Sequence, residues 1–182
     1  MSIMKYGGYK SEVVVPSENT YKAPLNMPLD IAAGFPVTYG TAYSALVTSA
    51  KIKKGETCLI LGATGGVGIA AVEIAKALGS KVIACGGSDS KLKSCTSTGA
   101  DYVINYKEKI LRNELTKLNI KEIDVVIDMI GGQYALDSVK SLKWNGRFVI
   151  VGFASGNIPN IPANRLLLKN ASAIGLYWGE LA

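Results

Sequence analysis

The sequence predicts a doubly wound α/β fold, in which helices cover both faces of one six-stranded parallel sheet. Two observations lead to this prediction. Short apolar runs alternate with segments of helical periodicity from residue 57 onward, and a glycine-rich turn joins the first run to the first helix. The 182 residues, with 48% hydrophobic content and 20 glycines, are enough for one full core. We therefore expect a Rossmann-type sheet connected by right-handed crossovers.

The predicted elements alternate regularly along the chain. Strands are predicted at residues 57–61, 81–85, 102–105, 123–129, 147–151 and 171–178. Each is a short apolar run followed by turn residues or by a helical segment. Helices are predicted at residues 69–78, 88–98, 107–118 and 133–143, and Gly79 is a typical stop for the first of them.

The first fifty residues do not follow this alternation. Residues 9–15 are predicted to form a short strand, residues 24–28 a proline-bounded loop, and residues 30–49 a helical segment. We interpret residues 1–29 as the remnant of another domain with its linker, and residues 30–182 as the nucleotide-binding domain. Because the chain also stops just past the sixth strand, we expect it to be a fragment.

The composition excludes several kinds of chemistry. The chain has no histidine, which excludes Ser-His-Asp hydrolysis, Cys-His nucleophiles and His-ligated zinc within it. Cys58, Cys85 and Cys95 are scattered, as is usual for reduced thiols, and no metal-ligand spacing occurs. The net charge of +6 is spread along the chain, so nucleic acid is not expected as a partner. Lacking a membrane-span pattern or a signal peptide, the chain is expected to be cytoplasmic.

The glycine-rich turn predicts a pyrophosphate site. Residues 62–68 read Gly-Ala-Thr-Gly-Gly-Val-Gly, with alanine where the usual fingerprint has its first glycine. In such a turn, backbone N–H groups and the helix dipole face the anion. The candidate residues are Ala63, Gly65, Gly66, Val67 and Gly68. The alternative is a tight turn that binds no ligand.

The end of the second predicted strand favours NADP over NAD. NAD-dependent folds place a carboxylate there, on the ribose 2′-hydroxyl, but residues 84–87 read Ala-Cys-Gly-Gly. Ser88 and Lys91 follow, and they offer a hydroxyl and a positive charge for a 2′-phosphate. The alternative is that Ser88 or Asp89 merely caps the next helix.

An ordered series of motifs covers nearly the whole chain. In order, it reads Gly8-Tyr9, Glu12-Val13-Val14-Val15-Pro16, Thr41-Ala42-Tyr43, Ala45-Leu46, Lys54-Gly55-Glu56, Gly62 to Gly68, Ala75-Lys76-Ala77-Leu78-Gly79, Gly99-Ala100-Asp101, Ile104-Asn105-Tyr106, Asp128 with Gly131-Gly132, and Gly146-Arg147-Phe148-Val149 with Val151-Gly152. This series resembles the zinc-independent quinone oxidoreductases of the medium-chain dehydrogenase/reductase superfamily. Alanine at position 63 is usual in that branch.

The resemblance implies roles for individual residues. It assigns Thr41, Gly152 and Phe153 to the nicotinamide end, Gly66 and Val67 to the pyrophosphate, and Ser88, Lys91 and Tyr106 to the 2′-phosphate. Tyr106 could instead be an exposed aromatic that closes the sheet. The cysteine of zinc-dependent members is missing from residues 32–35, so no metal ligand is assigned. No catalytic residue is assigned either, because a hydrogen bond from the following glycine turn explains Asp128 better than acid catalysis does.

The resemblance also implies an activity. Family members of this kind transfer hydride from NADPH to quinones or α,β-unsaturated carbonyls. Most of the GroES-like domain that completes the substrate pocket is absent, so we expect the full-length protein to be the enzyme and this chain alone to be inactive. The alternatives are an enoyl-thioester reductase and a non-enzymatic NADPH-binding module. The family also implies a homodimer formed through the strand between Ala171 and Trp178.

Overall fold

The computed structural model of the chain describes residues 1–4 and 6–180. Its strands are β1 (Thr57–Leu61), β2 (Lys81–Gly86), β3 (Tyr102–Asn105), β4 (Ile123–Asp128), β5 (Leu142–Ile150) and β6 (Ser172–Gly175). They form one sheet in the order β3-β2-β1-β4-β5-β6, and every neighbouring pair is parallel. The predicted six-stranded doubly wound sheet is confirmed.

Within the described ranges, six α-helices accompany the sheet. They are α1 (Leu29–Tyr43), α2 (Gly66–Ala77), α3 (Asp89–Thr98), α4 (Leu111–Lys117), α5 (Gly132–Lys140) and α6 (Ala163–Leu167). A π-helical turn continues α1 over Ser44–Ser49, and 3₁₀ turns occupy Ser17–Asn19 and Trp178–Glu180. Among the described residues, no helix combines the length and apolar character that crossing a bilayer requires.

The two faces of the sheet have separate cores, as the two-residue period of a strand requires. On β1, Cys58 and Ile60 belong to the core that includes buried residues of α1, α2 and α3. Leu59 and Leu61 belong to the core that includes buried residues of α4 and α5. All four side chains are fully buried because helices cover both faces.

The strand order reverses between β1 and β4, and this reversal locates the candidate site. Doubly wound sheets bind ligands at the carboxyl ends of the strands on either side of such a reversal. Here Leu61 at the end of β1 is in register with Asp128 at the end of β4. A surface cleft of about 620 Å³ lies instead at the opposite edge, near Ile120 and Ser141. The glycine turn follows β1 at the carboxyl edge, so the candidate site lies there and not at the cleft.

The predicted strand at residues 9–15 is wrong. None of these residues lies in a strand, and Tyr9 and Val14 are almost completely exposed. An alternating pattern yields a strand only where a neighbouring strand accepts its hydrogen bonds. Among the described residues of the first fifty, the one β-type pairing joins Ser2 to Thr20.

Several predicted boundaries also require correction. The helix predicted at 69–78 begins at Gly66, and the strand predicted at 147–151 begins at Leu142. The helix predicted at 107–118 begins at Leu111, because the Asn105 side-chain oxygen accepts the Lys107 N–H and ends β3 in a turn. The helix predicted at 133–143 ends at Lys140, because Leu142 already pairs with Ile123 of β4 and starts β5. The sixth strand is shorter than predicted, since its pairing with β5 covers Ser172–Gly175 alone.

Candidate functional site

The glycine turn is held to the end of β2 by backbone hydrogen bonds. The N–H groups of Gly62 and Ala63 both donate to the Cys85 carbonyl at 3.0 Å, and the Gly65 N–H donates to the Gly62 carbonyl at 3.1 Å. Gly62 has a φ of +81°, which glycine adopts without steric cost. The turn therefore has a defined shape before any ligand binds.

Gly68 allows α2 to approach β1 closely. A Cβ atom on Gly68 would lie 2.2 Å from the Gly62 carbonyl oxygen and 2.6 Å from the Ala63 Cα, so no other residue fits. Ala63 is completely buried in the core on that side of the sheet. These two candidate residues shape the turn from within, and the Ala63 side chain has no surface for a ligand.

Three consecutive N–H groups at the start of α2 are available to an anion. The first hydrogen bond of the helix runs from the Ile69 N–H to the Gly65 carbonyl at 2.9 Å. Among the described residues, no acceptor receives the N–H groups of Gly66, Val67 or Gly68. Gly65 and Gly66 are exposed, so the backbone is accessible there. This arrangement fits a phosphate group, which needs donors and the positive end of a helix dipole.

The helix-capping alternative for Ser88 and Asp89 does not hold. Ser88 precedes α3, but its side chain makes no capping hydrogen bond, and its Oγ lies 2.9 Å from the Ser90 Oγ. One oxygen of Asp89 accepts a hydrogen bond of 3.2 Å from the side-chain amide of Asn105. Asn105 is buried, so it holds the carboxylate nearest the tip of β2 in a fixed position. The Ser88 hydroxyl and the start of α3 remain available to a ligand.

Tyr106 and Lys91 border the same region. Tyr106 follows β3, and its N–H donates to the Gly86 carbonyl at 3.1 Å. Its half-buried ring packs on Tyr134, with ring centroids 4.2 Å apart. Burial raises the pKa of Tyr106, so its hydroxyl is a protonated donor at neutral pH. Lys91 is exposed in the first turn of α3, and no described residue forms an ion pair with it.

Lys107 is a residue of this region that the sequence analysis missed. Its Cε atom lies 2.9 Å from the position that a Cβ would occupy on Gly87. The contact follows from the register of the sheet, in which Gly86 at the end of β2 is opposite Asn105 at the end of β3. The sequence signal that could have identified Lys107 is its place as a basic residue two positions after the end of the third strand.

The nicotinamide-side candidates lie on two different elements. Thr41 of α1 is buried. Thr38, one turn earlier in α1, lies next to the glycine turn, because its methyl group is 3.0 Å from the position that a Cβ would occupy on Gly66. Phe153 is partly exposed, and its ring lies 3.0 Å from a would-be Cβ on Gly131. The Gly152 N–H donates to the Asp128 carbonyl at 3.2 Å. The structure therefore brings Gly152 and Phe153 to the end of β4, beside the glycine turn.

The cysteines do not contribute a reactive group. All three thiols are free and buried. Burial raises the pKa of Cys58 and Cys85, which keeps them as unreactive thiols at neutral pH. Within the described part of the chain, no three His, Cys, Asp or Glu side chains are grouped as metal ligands would be.

Comparison with known proteins extends this description. A model of the family described as "Zinc-binding dehydrogenase" matches residues 66–182, which is more than half of the chain. Quinone oxidoreductase-like protein 2 of Mus musculus is 41% identical over 182 residues, which are 99% of this chain and 52% of that protein. The chain thus spans about half the length of the curated relatives it matches.

Solved structures show the same likeness. The quinone oxidoreductase of Thermus thermophilus, also known in complex with NADPH, has a TM-score of 0.88 and 29% identity, covering 99% of this chain and 57% of that one. The CurK enoyl reductase has a TM-score of 0.79 and 30% identity, covering 92% and 50%. The chain therefore belongs to the zinc-binding dehydrogenase family, within the medium-chain dehydrogenase/reductase superfamily, and its relatives there are quinone oxidoreductase-like proteins.

Proposed function

We propose that this chain is the NADPH-binding part of an oxidoreductase that reduces quinones or α,β-unsaturated carbonyls. One observation carries the proposal: two anion-binding features lie at the same edge of the sheet. The unpaired N–H groups at the start of α2 suit a pyrophosphate. Ser88, Lys91, Tyr106 and Lys107 follow the ends of the paired strands β2 and β3, and this set, which we call the 2′-phosphate cluster, suits an additional phosphate on the ribose.

The residues of the chain would bind and orient the cofactor. When bound, NADPH supplies the hydride for the reaction. The glycine turn holds the diphosphate, and the 2′-phosphate cluster holds the adenosine end. Gly152, Phe153 and the α1 segment around Thr38 and Thr41 border the nicotinamide end and limit the access of water. In this proposal, catalysis rests on orientation and not on a protein acid or nucleophile.

No step of the proposed reaction uses zinc. Another domain would supply the rest of the substrate pocket. Residues 32–35 contain no cysteine, and the chain has no histidine to complete a zinc site. We assign residues 1–29 to the remnant of a GroES-like substrate domain with its linker, and residues 30–182 to the cofactor domain. We also propose a cytoplasmic location.

A homodimer through β6 is part of the proposal. Among the described residues, β6 pairs with β5 along one edge, and no strand covers its other edge. Edge strands of this kind form continuous sheets across two-fold axes. Light scattering is expected to give twice the mass of the chain. A monomer at high protein concentration would contradict this part.

Calorimetric titration with NADPH and NADH tests the cofactor proposal. We expect tighter binding of NADPH, and we expect Lys91→Ala to remove most of that preference because it removes a charge from the 2′-phosphate cluster. Lys93→Ala is the matched control, since Lys93 is exposed on the same helix but points to a different side. Equal binding of both dinucleotides by the unmutated chain would reject the proposed preference for NADPH.

An enoyl-thioester reductase is the second candidate, and the structural likeness to the CurK enoyl reductase favours it specifically. The full-length protein is assayed for NADPH oxidation with a quinone, an enone and an enoyl thioester. Preference for the thioester would select the second candidate. Tight NADPH binding without oxidation by any acceptor would identify a non-enzymatic binding module instead.

A further inference from the structure

Asp128 lies at the carboxyl edge of the sheet, in the middle of the candidate site, and is buried away from solvent. It ends β4, is completely buried, and is in register with Leu61 of β1 and Ile150 of β5. It therefore lies where the strand order reverses. A carboxylate in such a position costs free energy unless hydrogen bonds compensate for the lost hydration. The hydrogen bonds of the Asp128 carboxylate show which backbone segment it stabilises.

One carboxylate oxygen of Asp128 organises the segment that follows β4. Its Oδ1 accepts the N–H of Ile130 at 2.8 Å and the N–H of Gly131 at 2.9 Å. The other oxygen, Oδ2, has no hydrogen-bond partner among the described residues. Burial raises the pKa of this carboxyl, while the two backbone hydrogen bonds act in the opposite direction. The bonded segment, residues 129–132, is called the post-β4 turn below.

On one side, the post-β4 turn packs against the glycine turn. The Cδ1 atom of Ile130 lies 2.9 Å from the position that a Cβ would occupy on Gly62, the first residue of the glycine turn. The Met129 N–H also donates to the Leu61 carbonyl at 3.4 Å. A shift of the post-β4 turn would therefore displace the backbone of the glycine turn, which is proposed to bind the pyrophosphate.

On its other side, the post-β4 turn holds residues 151–157, called the post-β5 loop, which carry Gly152 and Phe153. A Cβ on Gly131 would lie 2.7 Å from the Asn157 carbonyl oxygen, so the two segments approach to backbone contact. Three hydrogen bonds link them: Ala154 N–H to Met129 carbonyl at 3.0 Å, Ser155 N–H to Ile130 carbonyl at 3.0 Å, and Gly132 N–H to Asn157 carbonyl at 2.9 Å.

We propose that Asp128 is a positioning residue that fixes the spacing between the glycine turn and the post-β5 loop through the post-β4 turn. It makes no contact with the cofactor in this role. Resting on the proposed function, the role has a specific consequence. Asp128 governs binding of the nicotinamide half of NADPH, while the adenosine half, held by the 2′-phosphate cluster, is independent of it.

A cofactor-free measurement tests the positioning role directly. In Asp128→Ala, amide hydrogen exchange of the post-β5 loop is expected to be about tenfold faster than in the unmutated chain, with exchange of β2 unchanged. Asp124→Ala is the matched control, because Asp124 lies on the same strand and accepts the Thr57 N–H at 2.9 Å. Unchanged exchange of the loop in Asp128→Ala would overturn the proposal.

A ligand comparison tests the consequence for binding. Asp128→Ala is expected to weaken NADPH about tenfold while changing the affinity for 2′-AMP less than about twofold, because 2′-AMP lacks both the diphosphate and the nicotinamide half. Equal weakening of both ligands would indicate general destabilisation and would overturn the role. If the unmutated chain binds neither ligand, the proposed cofactor function fails, and the exchange measurement still decides the positioning role.

A second variant, Gly131→Ala, disturbs the same contact between the post-β4 turn and the post-β5 loop. Gly131 has a φ of +75°, and an added Cβ would meet the Asn157 carbonyl, so Gly131→Ala pushes the post-β5 loop away while Asp128 remains. It is expected to reproduce the faster loop exchange and the selective loss of NADPH affinity. Should Asp128→Ala fail to fold, Gly131→Ala decides the proposal, and normal loop exchange in that variant would overturn it.

Discussion

The aliphatic part of Lys107 covers the backbone of Gly87. Its Cε atom lies 2.9 Å from the position of a would-be Cβ on that glycine, so a larger residue at position 87 would displace the lysine. This contact joins the loop after β3 to the loop after β2. It also places a second lysine, besides Lys91, against the residue that precedes Ser88, at the end of the sheet where a 2′-phosphate would bind.

Lys107→Ala is therefore expected to weaken NADPH binding about five- to tenfold, because one charged hydrogen bond to phosphate contributes about 1 kcal/mol at an accessible site. NADH lacks that phosphate, so its affinity should not change. The preference for NADPH is also expected to decrease as salt rises. Lys109→Ala is the control, since Lys109 pairs with Glu114. Equal losses for NADPH and NADH would contradict the assigned role of Lys107.

Gly68→Ala and Gly65→Ala are expected to separate stability from binding. The added Cβ in Gly68→Ala would lie 2.2 Å from a backbone oxygen, which should cost about 2 kcal/mol or more of unfolding free energy. In Gly65→Ala the nearest atom is 3.6 Å away, so the added Cβ meets no clash, and replacing the N-cap glycine of α2 by alanine should cost only about 0.5–1 kcal/mol. NADPH affinity should nevertheless fall about tenfold, because the methyl group hinders close approach to the backbone. Urea unfolding and calorimetry distinguish these effects, and similar unfolding midpoints for the two variants would refute the assignment.

The local part of the site was predictable from sequence, and the part that depends on register was not. The glycine turn follows from residue types at fixed spacing between a strand and a helix, and Ser88 and Lys91 follow from their place after β2. Lys107 and Ile130 are different. Lys107 reaches Gly87 only because β2 and β3 pair in one particular register, and Ile130 reaches Gly62 only through the pairing of β1 with β4.

The errors in the predicted fold have the same origin. Residues 9–15 have a strand-like pattern, yet strand formation depends on a partner that local sequence does not specify. The end of α5 was placed three residues too late because residues 141–143 fit a helical pattern as well. These residues nevertheless do not continue the helix, because Leu142 pairs with Ile123 of β4 and begins β5. Tertiary contacts therefore override local propensity at both positions.

Asp101→Asn is expected to lower stability by about 1 kcal/mol at neutral pH. Burial alone would raise the pKa of Asp101, but hydrogen bonds from the Lys76 ammonium at 2.6 Å and the Val82 N–H at 2.7 Å outweigh it, so the pKa is lowered. A lowered pKa stabilises the fold above the unfolded value of about 3.9 and ceases to do so as pH falls through the folded value.

Urea unfolding of the Asp101→Asn variant and the unmutated chain between about pH 7 and pH 3 measures this dependence. The difference in unfolding free energy should be largest near neutral pH and should shrink at the acid end. A difference that stays constant over the whole range would show that Asp101 acts through shape and not through its charge.

Arg147→Ala is expected to be the most destabilising removal of an ion pair. The Arg147 guanidinium forms two parallel hydrogen bonds to Glu56, of 3.1 and 2.5 Å, and its Nε donates to the Ala50 carbonyl at 3.0 Å. Both charged side chains are less than one-fifth exposed. Removal of the arginine leaves a poorly hydrated carboxylate, which should cost about 2–3 kcal/mol. Arg147→Lys should recover part of this loss, because an ammonium cannot form the double hydrogen bond.

Lys169→Ala is the matched control for Arg147→Ala. Lys169 pairs with Glu122 at 2.9 Å, but both side chains are more than one-third exposed, so the expected loss is below about 1 kcal/mol. Arg147 also precedes the carboxyl end of β5 by three residues, so NADPH affinity of the folded Arg147→Ala variant should equal that of the unmutated chain. Equal urea midpoints for the two variants would mean that partial burial of the Arg147 pair adds no stability, whereas a selective loss of NADPH affinity in Arg147→Ala would show that this pair also shapes the cofactor site.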